Sequence, residues 1–227
     1  KKNQGEIMKT LRGAKNSTVK LGVQRGNSPE LLYFDVTRGD VPVNSVDVSF
    51  EAAKGIGYIK VSKFARNTYN EFITAIAKLK QAGCTSFVID LRGNTGGYMD
   101  AAINMINEFM PEGRLIVYTE GKSFPRSDVY ANGTGTCKDA PIVVLTDEIS
   151  ASASEIFSGA IQDNDRGTII GRRTYGKGLV QTQMSLSDGS EMRLTIARYY
   201  TPSGRCIQKK YEMGNTDAYD QDIYNRY

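Results

Sequence analysis

The apolar positions of this chain recur with two periods. Near the start, Ile7, Met8 and Leu11 share a face at helical spacing, and Gly13 ends that helix, which is placed over residues 4–13. Thr18 to Val23 alternates polar with apolar, Arg25-Gly26-Asn27-Ser28-Pro29 reads as a turn, and Leu31 to Thr37 as a second strand. After a connector at Arg38–Val43, strands are predicted over 45–50 and 55–61. Tyr69, Phe72, Ile73, Ile76 and Leu79 then recur at helical spacing up to Gly83. Ser86–Leu91 is a continuous apolar run, the pattern of a strand buried on both faces. A glycine-rich loop, Arg92–Gly97, leads from it into a helix over 98–110. Leu115–Thr119 is a strand, and the polar stretch 120–139 a long surface loop.

A second strand-turn-helix follows. Pro141–Leu145 is apolar, Thr146–Ile149 is a turn, and Ser150-Ala151-Ser152-Ala153-Ser154-Glu155 opens a helix whose Ile156, Phe157, Ala160 and Ile161 share a face. A short strand lies at 168–170. Beyond Tyr175-Gly176-Lys177-Gly178 two strands meet at Ser187-Asp188-Gly189, the second running from Met192 to Tyr200. The tail from Lys209 is polar with scattered tyrosines, the composition of a segment that wraps the surface. Strands that alternate with helices argue for an α/β or mixed α+β fold. Residues 1–40 hold too little core to stand alone.

Composition narrows the function. The 227 residues, 40% hydrophobic and 24% charged, suit a globular chain, and 29 basic against 25 acidic residues are too balanced to argue for nucleic acid. No stretch approaches the roughly 18 apolar residues of a membrane span. Three cysteines, Cys84, Cys137 and Cys206, match no zinc spacing. Cys84 reads as a buried free thiol, and a bridge between Cys137 and Cys206 is left open. The loop 92–97 has neither dinucleotide nor P-loop spacing, so glycines that expose backbone N–H groups explain it better than a phosphate cradle.

The chain contains no histidine, which removes the Ser-His-Asp triad. Serines at a helix start are ordinarily caps, and a lysine between glycines is ordinarily a solvated loop residue. Together they offer another chemistry. A helix N-terminus can stabilise the oxyanion formed when a serine attacks a carbonyl, and lysine can replace histidine as base. Such a lysine has to be neutral near pH 7, so burial is expected to lower its pKa from about 10.4.

The strings Asp90–Gly97, Ser150–Ile156, Tyr175–Gly178 and Arg198–Gln208 resemble, in order, those of the C-terminal processing peptidases, or tail-specific proteases, of serine peptidase family S41. The resemblance covers about 55–210. It implies a crotonase- and ClpP-like ββα core, with Ser152 as nucleophile, Lys177 as general base, Gln181 orienting that lysine, and Asp163 as an acidic residue important in some members. It implies an oxyanion hole from the N–H groups of Gly97 and Ala153, and no metal or cofactor. Where the family often has glycine this chain has Ile149, which disfavours a positive φ and implies a different turn before the nucleophile. Residues 1–40 resemble the last part of a PDZ domain, and 41–227 the catalytic domain. The implied function is a serine endopeptidase, periplasmic or in the cell envelope, that cleaves proteins with unstructured C-termini. Homo-oligomers are compatible with it, and a membrane anchor only through segments outside this sequence. Two alternatives are a non-catalytic ligand-binding or scaffold member of the fold, and a crotonase-like acyl-CoA enzyme that needs no Ser–Lys pair.

Overall fold

A computed structural model describes residues 3–26, 28–40, 44–211, 214 and 216–225. The chain divides into two compact units, Lys1–Val43 and Asn44–Tyr227. The predicted connector's last three residues, Val41–Val43, lie outside the described residues.

The first unit holds helix α1 (Gln4–Leu11) and an antiparallel pair, β1 (Thr18–Gln24) and β2 (Leu31–Thr37). Asn3 and Glu6 form a reciprocal capping box at the start of α1. Arg38 closes the other end by donating to the carbonyls of Leu11 and Thr10. Ile7, Met8 and Leu11 share a helical face as predicted, yet all three are exposed.

The second unit contains two sheets. One has the order β3 (Val46–Ala53), β4 (Ile56–Val61), β5 (Ser86–Asp90), β8 (Ile142–Thr146), β9 (Thr168–Gly171). Here β3 is antiparallel to β4, and the remaining pairs are parallel. The crossovers carry helices α2 (Thr68–Gln81), α3 (Met99–Asn107) and α4 (Ala153–Asp163). The second sheet runs β10 (Leu179–Ser185), β11 (Glu191–Tyr200), β6 (Leu115–Glu120), β7 (Ser127–Tyr130). A last helix, α5, spans Thr216–Tyr224.

The core lies between the parallel strands and α2, α3 and α4. Phe109 is its hub, meeting Phe72 of α2, Phe87 of β5 and Phe157 of α4 edge-on at centroid distances of 6.2, 6.4 and 6.5 Å. Helix α4 is buried from Ala153 to Ile161, polar residues included. That is unusual for a surface-facing amphipathic helix and means its N-terminus is rigidly fixed by packing.

The mixed α/β architecture is the predicted one, with two additions. Strand β7 lies within the polar stretch 120–139, and α5 lies within the tail. All three cysteines are free thiols; Cys84 and Cys137 are buried and Cys206 is exposed, so the bridge left open between Cys137 and Cys206 is not formed. No helix among the described residues is long and apolar enough to cross a membrane.

Candidate active site

Parallel β5 and β8 are adjacent, so the loops leaving their C-terminal ends meet. The first is the glycine loop 92–97 and the second is the serine turn 147–152. Asn94, fully buried, joins them. Its carbonyl accepts from the Ala151 N–H at 3.0 Å and from the Ser154 hydroxyl at 3.0 Å, while its amide donates to Val61 O at 2.9 Å. Its Oδ1 accepts from Gly96 N at 2.8 Å. Asp147 adds a second tie, accepting from Gly93 N at 3.0 and 2.9 Å and from Ser150 N at 3.0 Å.

This network separates the three serines. Ser150 and Ser154 are fully buried, and their hydroxyls donate to Leu91 O at 2.8 Å and Asn94 O at 3.0 Å. Ser152 is half-buried, and its hydroxyl donates to none of the described residues. Ser152 also has φ 56°, ψ −114°, whereas Ile149 has no positive φ. The turn therefore places its left-handed residue at the serine itself, three positions after the Ile149 at which the sequence departs from the family. A non-glycine residue in such a conformation is held there by its surroundings, and strain of that kind concentrates at functional sites.

Gly96 borders Ser152, and Gly97 follows it in the same loop. A Cβ on Gly96 would lie 2.7 Å from Ser152 Cβ and 3.0 Å from Ala153 N. A Cβ on Gly97 would lie 2.0 Å from Phe64 O, because Phe64 and Gly97 form a bridge with flanking bonds of 3.0 and 2.7 Å. Both have positive φ, 97° and 143°. Only glycine fits here. The N–H groups of Gly97 and Ala153 donate to no described residue. The Ala153 N–H directly follows the serine at the start of α4, where partial positive charge collects, and the Gly97 N–H follows Gly96, the glycine packed on Ser152. The N–H groups of Gly93, Asn94 and Gly96, by contrast, are taken by Asp147, Leu91 and the Asn94 side chain, which leaves no phosphate cradle.

The lysine loop is tied to the serine by Glu155, which is 5% exposed. Glu155 Oε2 accepts from Ser152 N and Lys177 N, both at 2.8 Å, and Oε1 from Gly176 N at 2.6 Å. Tyr175 N donates to Ser150 O at 3.0 Å. Burial pushes the Glu155 carboxyl above its ordinary pKa, and the N–H donors partly oppose this. Glu155 was not among the residues expected at the site, although serine followed three residues later by glutamate is a capping-box pattern.

The remaining predicted residues are placed as follows. Lys177 is exposed, not buried as its role as base led us to expect, and its ammonium forms no hydrogen bond or ion pair with a described residue. Burial falls instead on Gly176 and Gly178, whose backbone is pressed against Lys209, Ile207 and Gln208. Gln181 is exposed beside a bulge in β10, and its Nε2 contacts Thr195 Oγ1 at 3.4 Å. Asp163 ends α4, eleven residues from Ser152, or about 16 Å along the axis. Its carboxylate accepts from Ser203 N at 3.2 Å and Ser203 Oγ at 2.6 Å and pairs with Arg205. It fixes the turn after β11 and does not meet the serine. Burial raises the Asp163 pKa, but the Ser203, Thr201 and Arg205 hydrogen bonds prevail and hold it below the usual carboxylate range. A cavity of 630 Å³ is lined by Glu155 and other residues of α4, by residues 171–174 and Gly176, and by residues 205–210, and neither Ser152 nor Lys177 lines it.

A profile of peptidase family S41 matches residues 55–217. The chain belongs to peptidase family S41. Among S41 relatives, the carboxyl-terminal-processing protease of Synechocystis sp. is 36% identical over 207 residues, covering 90% of this chain and 48% of that protein. A probable CtpA-like serine protease of Staphylococcus aureus (strain N315) is 36% identical over 206 residues, covering 90% and 41%. The solved photosystem II D1 C-terminal processing protease superposes with a TM-score of 0.68 at 32% identity, covering 89% of this chain and 56% of that one. The chain thus spans about half the length of the S41 relatives it matches.

Proposed function

We propose that this chain carries the catalytic domain of a serine endopeptidase that cleaves protein substrates near their C-termini. The observation that carries the reading is the separation of the serines. Ser152 alone among Ser150, Ser152 and Ser154 has a hydroxyl that donates to no described residue, on a strained residue packed against Gly96, and the N–H groups of Gly97 and Ala153 likewise donate to no described residue. In the proposed reaction neutral Lys177 takes the hydroxyl proton as Ser152 Oγ bonds to the scissile carbonyl carbon. The carbonyl oxygen becomes an oxyanion held by the two N–H groups. Collapse breaks the C–N bond, and the lysine returns its proton to the leaving amine. Water then hydrolyses the acyl-enzyme by the same route. Because Lys177 is exposed, bound substrate has to provide the desolvation that makes it a base.

The names of the S41 relatives, carboxyl-terminal-processing proteases, support the choice of substrate end. The same resemblance is the ground for reading residues 1–40 as part of a PDZ domain and for a periplasmic or cell-envelope location. The lack of a bond from Lys177 to Ser152 favours a second reading, a non-catalytic binding member of the fold. Incubation with a fluorophosphonate separates the two. The peptidase predicts a covalent adduct on Ser152, together with cleavage of an unstructured peptide. A chain that neither labels nor cleaves, with its fold intact, overturns the proposal.

A further inference from the structure

The loop that carries Lys177 is held from a second side. Lys209 N donates to Gly176 O at 2.9 Å, and Gln208 Oε1 accepts from Gly178 N at 3.0 Å. Both side chains continue outward to α5. Gln208 Nε2 lies 3.0 Å from Tyr219 Oη, and Lys209 Nζ donates to the Tyr219 carbonyl at 2.6 Å. Lys209 is the more telling of the two, because its side chain is only 4% exposed. Its ammonium sits 3.7 Å from the Tyr219 ring centroid and 5.0 Å from that of Tyr175, with Asp222 Oδ2 at 3.7 Å. Tyr175 stands two residues before Lys177.

Withdrawing an ammonium from water is costly unless the protein replaces its hydration with fixed partners. Here those partners come from two segments, the lysine loop and α5, and neither alone encloses the charge. The contact at Gly176 is close enough that a Cβ there would lie 2.8 Å from Lys209 Cβ, so a shift of Lys209 is transmitted to the loop backbone.

We propose that Lys209, clamped by α5, is a positioning residue that sets the backbone of the Lys177 loop for catalysis. The proposal rests on the reading of Lys177 as base, and the experiment separates the two. Lys209→Met keeps the length of the side chain and removes the charge. It is expected to lower kcat by about tenfold to a hundredfold, the range that misplacement of a catalytic group produces, with KM changed by less than about twofold. Amide exchange at residues 175–178 should quicken by about tenfold in a Ser152→Ala background, where catalysis plays no part. Removing residues 211–227 should give the same changes, and combining it with Lys209→Met should add little. Tyr219→Ala, which strips the ring from the clamp, serves as the second variant should Lys209→Met fold poorly. Parental kcat and parental exchange in these variants overturn the proposal, and so do fully additive losses, which would mean that Lys209 and α5 act separately. A Lys177→Ala chain as active as the parent would instead sink the base assignment, while the exchange data would still decide whether Lys209 holds the loop.

Discussion

Glu155 and Lys177 are joined through the backbone: Glu155 Oε2 lies 2.8 Å from Lys177 N, and the same oxygen lies 2.8 Å from Ser152 N. One buried carboxylate therefore sets the separation of the proposed nucleophile and the proposed base. The carboxylate does so through backbone N–H groups and not through the Ser152 hydroxyl or the Lys177 ammonium.

Glu155→Gln tests this. The carboxylate presents two acceptors, with Oε1 serving Gly176 N and Oε2 serving Ser152 N and Lys177 N. An amide has one acceptor, so whichever way it turns, its NH₂ opposes a backbone N–H. The expected outcome is a loss of about 2 kcal/mol in stability from unsatisfied buried donors, and a fall in kcat of about a hundredfold. Denaturant unfolding and peptide cleavage check the two effects. Parental kcat in Glu155→Gln would show that the separation of the loops does not depend on this carboxylate.

What the sequence made legible follows from where its signals are local. The two strand-loop-helix units were readable because continuous apolar strands and helical periodicity bracket the glycines and serines. The distinct duties of Ser150, Ser152 and Ser154 were not readable, because they depend on Leu91 O and Asn94 O, some sixty positions away. Strand β7 and helix α5 lack apolar periodicity, since β7 is paired only at a sheet edge and α5 is anchored by Lys209, Gln208 and Tyr211 packed on Tyr219. The expected burial of Lys177 came from a chemical requirement and not from the residues around it, and the glycines there bury backbone instead. The partners of Asp163 were not readable either, since Ser203 and Arg205 lie some forty positions away.

The three serines should separate experimentally. Ser152→Ala is expected to abolish cleavage and fluorophosphonate labelling with little change in melting temperature. Ser150→Ala and Ser154→Ala each delete a buried donor, at about 1 kcal/mol or a few degrees in Tm, and keep most of the chemistry. If labelling is lost only in Ser150→Ala or Ser154→Ala, the nucleophile has been misassigned.

Lys177→Arg should be as inactive as Lys177→Ala. Arginine keeps the charge and the reach, and the exposed position has room for it. Its guanidinium does not give up a proton at any usable pH, so it cannot accept one from Ser152. Substantial turnover by the arginine variant would exclude the lysine as base and leave the oxyanion hole to account for the rate.

Two glycines in one loop should answer differently to substitution. Gly93 has a positive φ of 73°, but a Cβ added there would meet no atom within 4 Å, so Gly93→Asn should cost little. Gly96 has φ 97° and would drive a methyl group to within 2.7 Å of Ser152 Cβ. Gly96→Ala is expected to lose at least about a hundredfold in kcat, with labelling of Ser152 slowed in parallel. Equal effects at the two positions would mean that the close approach to Ser152 is not what the loop is shaped for.

Asp90 gives a prediction about acid. Its side chain is 1% exposed and is bonded by the Arg92 guanidinium at 2.7 Å and by Tyr58 Oη at 2.5 Å, with Lys60 Nζ at 3.3 Å. Burial alone would raise its pKa, but the hydrogen bonds from Arg92 and Tyr58 and the charge of Lys60 bring it down to about 2. The folded value lies below the unfolded one, so the folded chain binds this proton less readily. The stability Asp90 contributes is therefore complete above the unfolded pKa, and it is lost as pH falls from about 4 to about 2. Its size is about 2 kcal/mol. Asp90→Asn should lower stability near neutral pH by at least that amount, since Arg92 and Lys60 lose their counter-charge, and the variant's stability should vary less with pH below about 4. Urea unfolding at neutral pH and at two points across that acid range reads both effects. An Asp90→Asn chain whose stability falls as steeply with acid as the parent's would assign that acid sensitivity to other carboxylates.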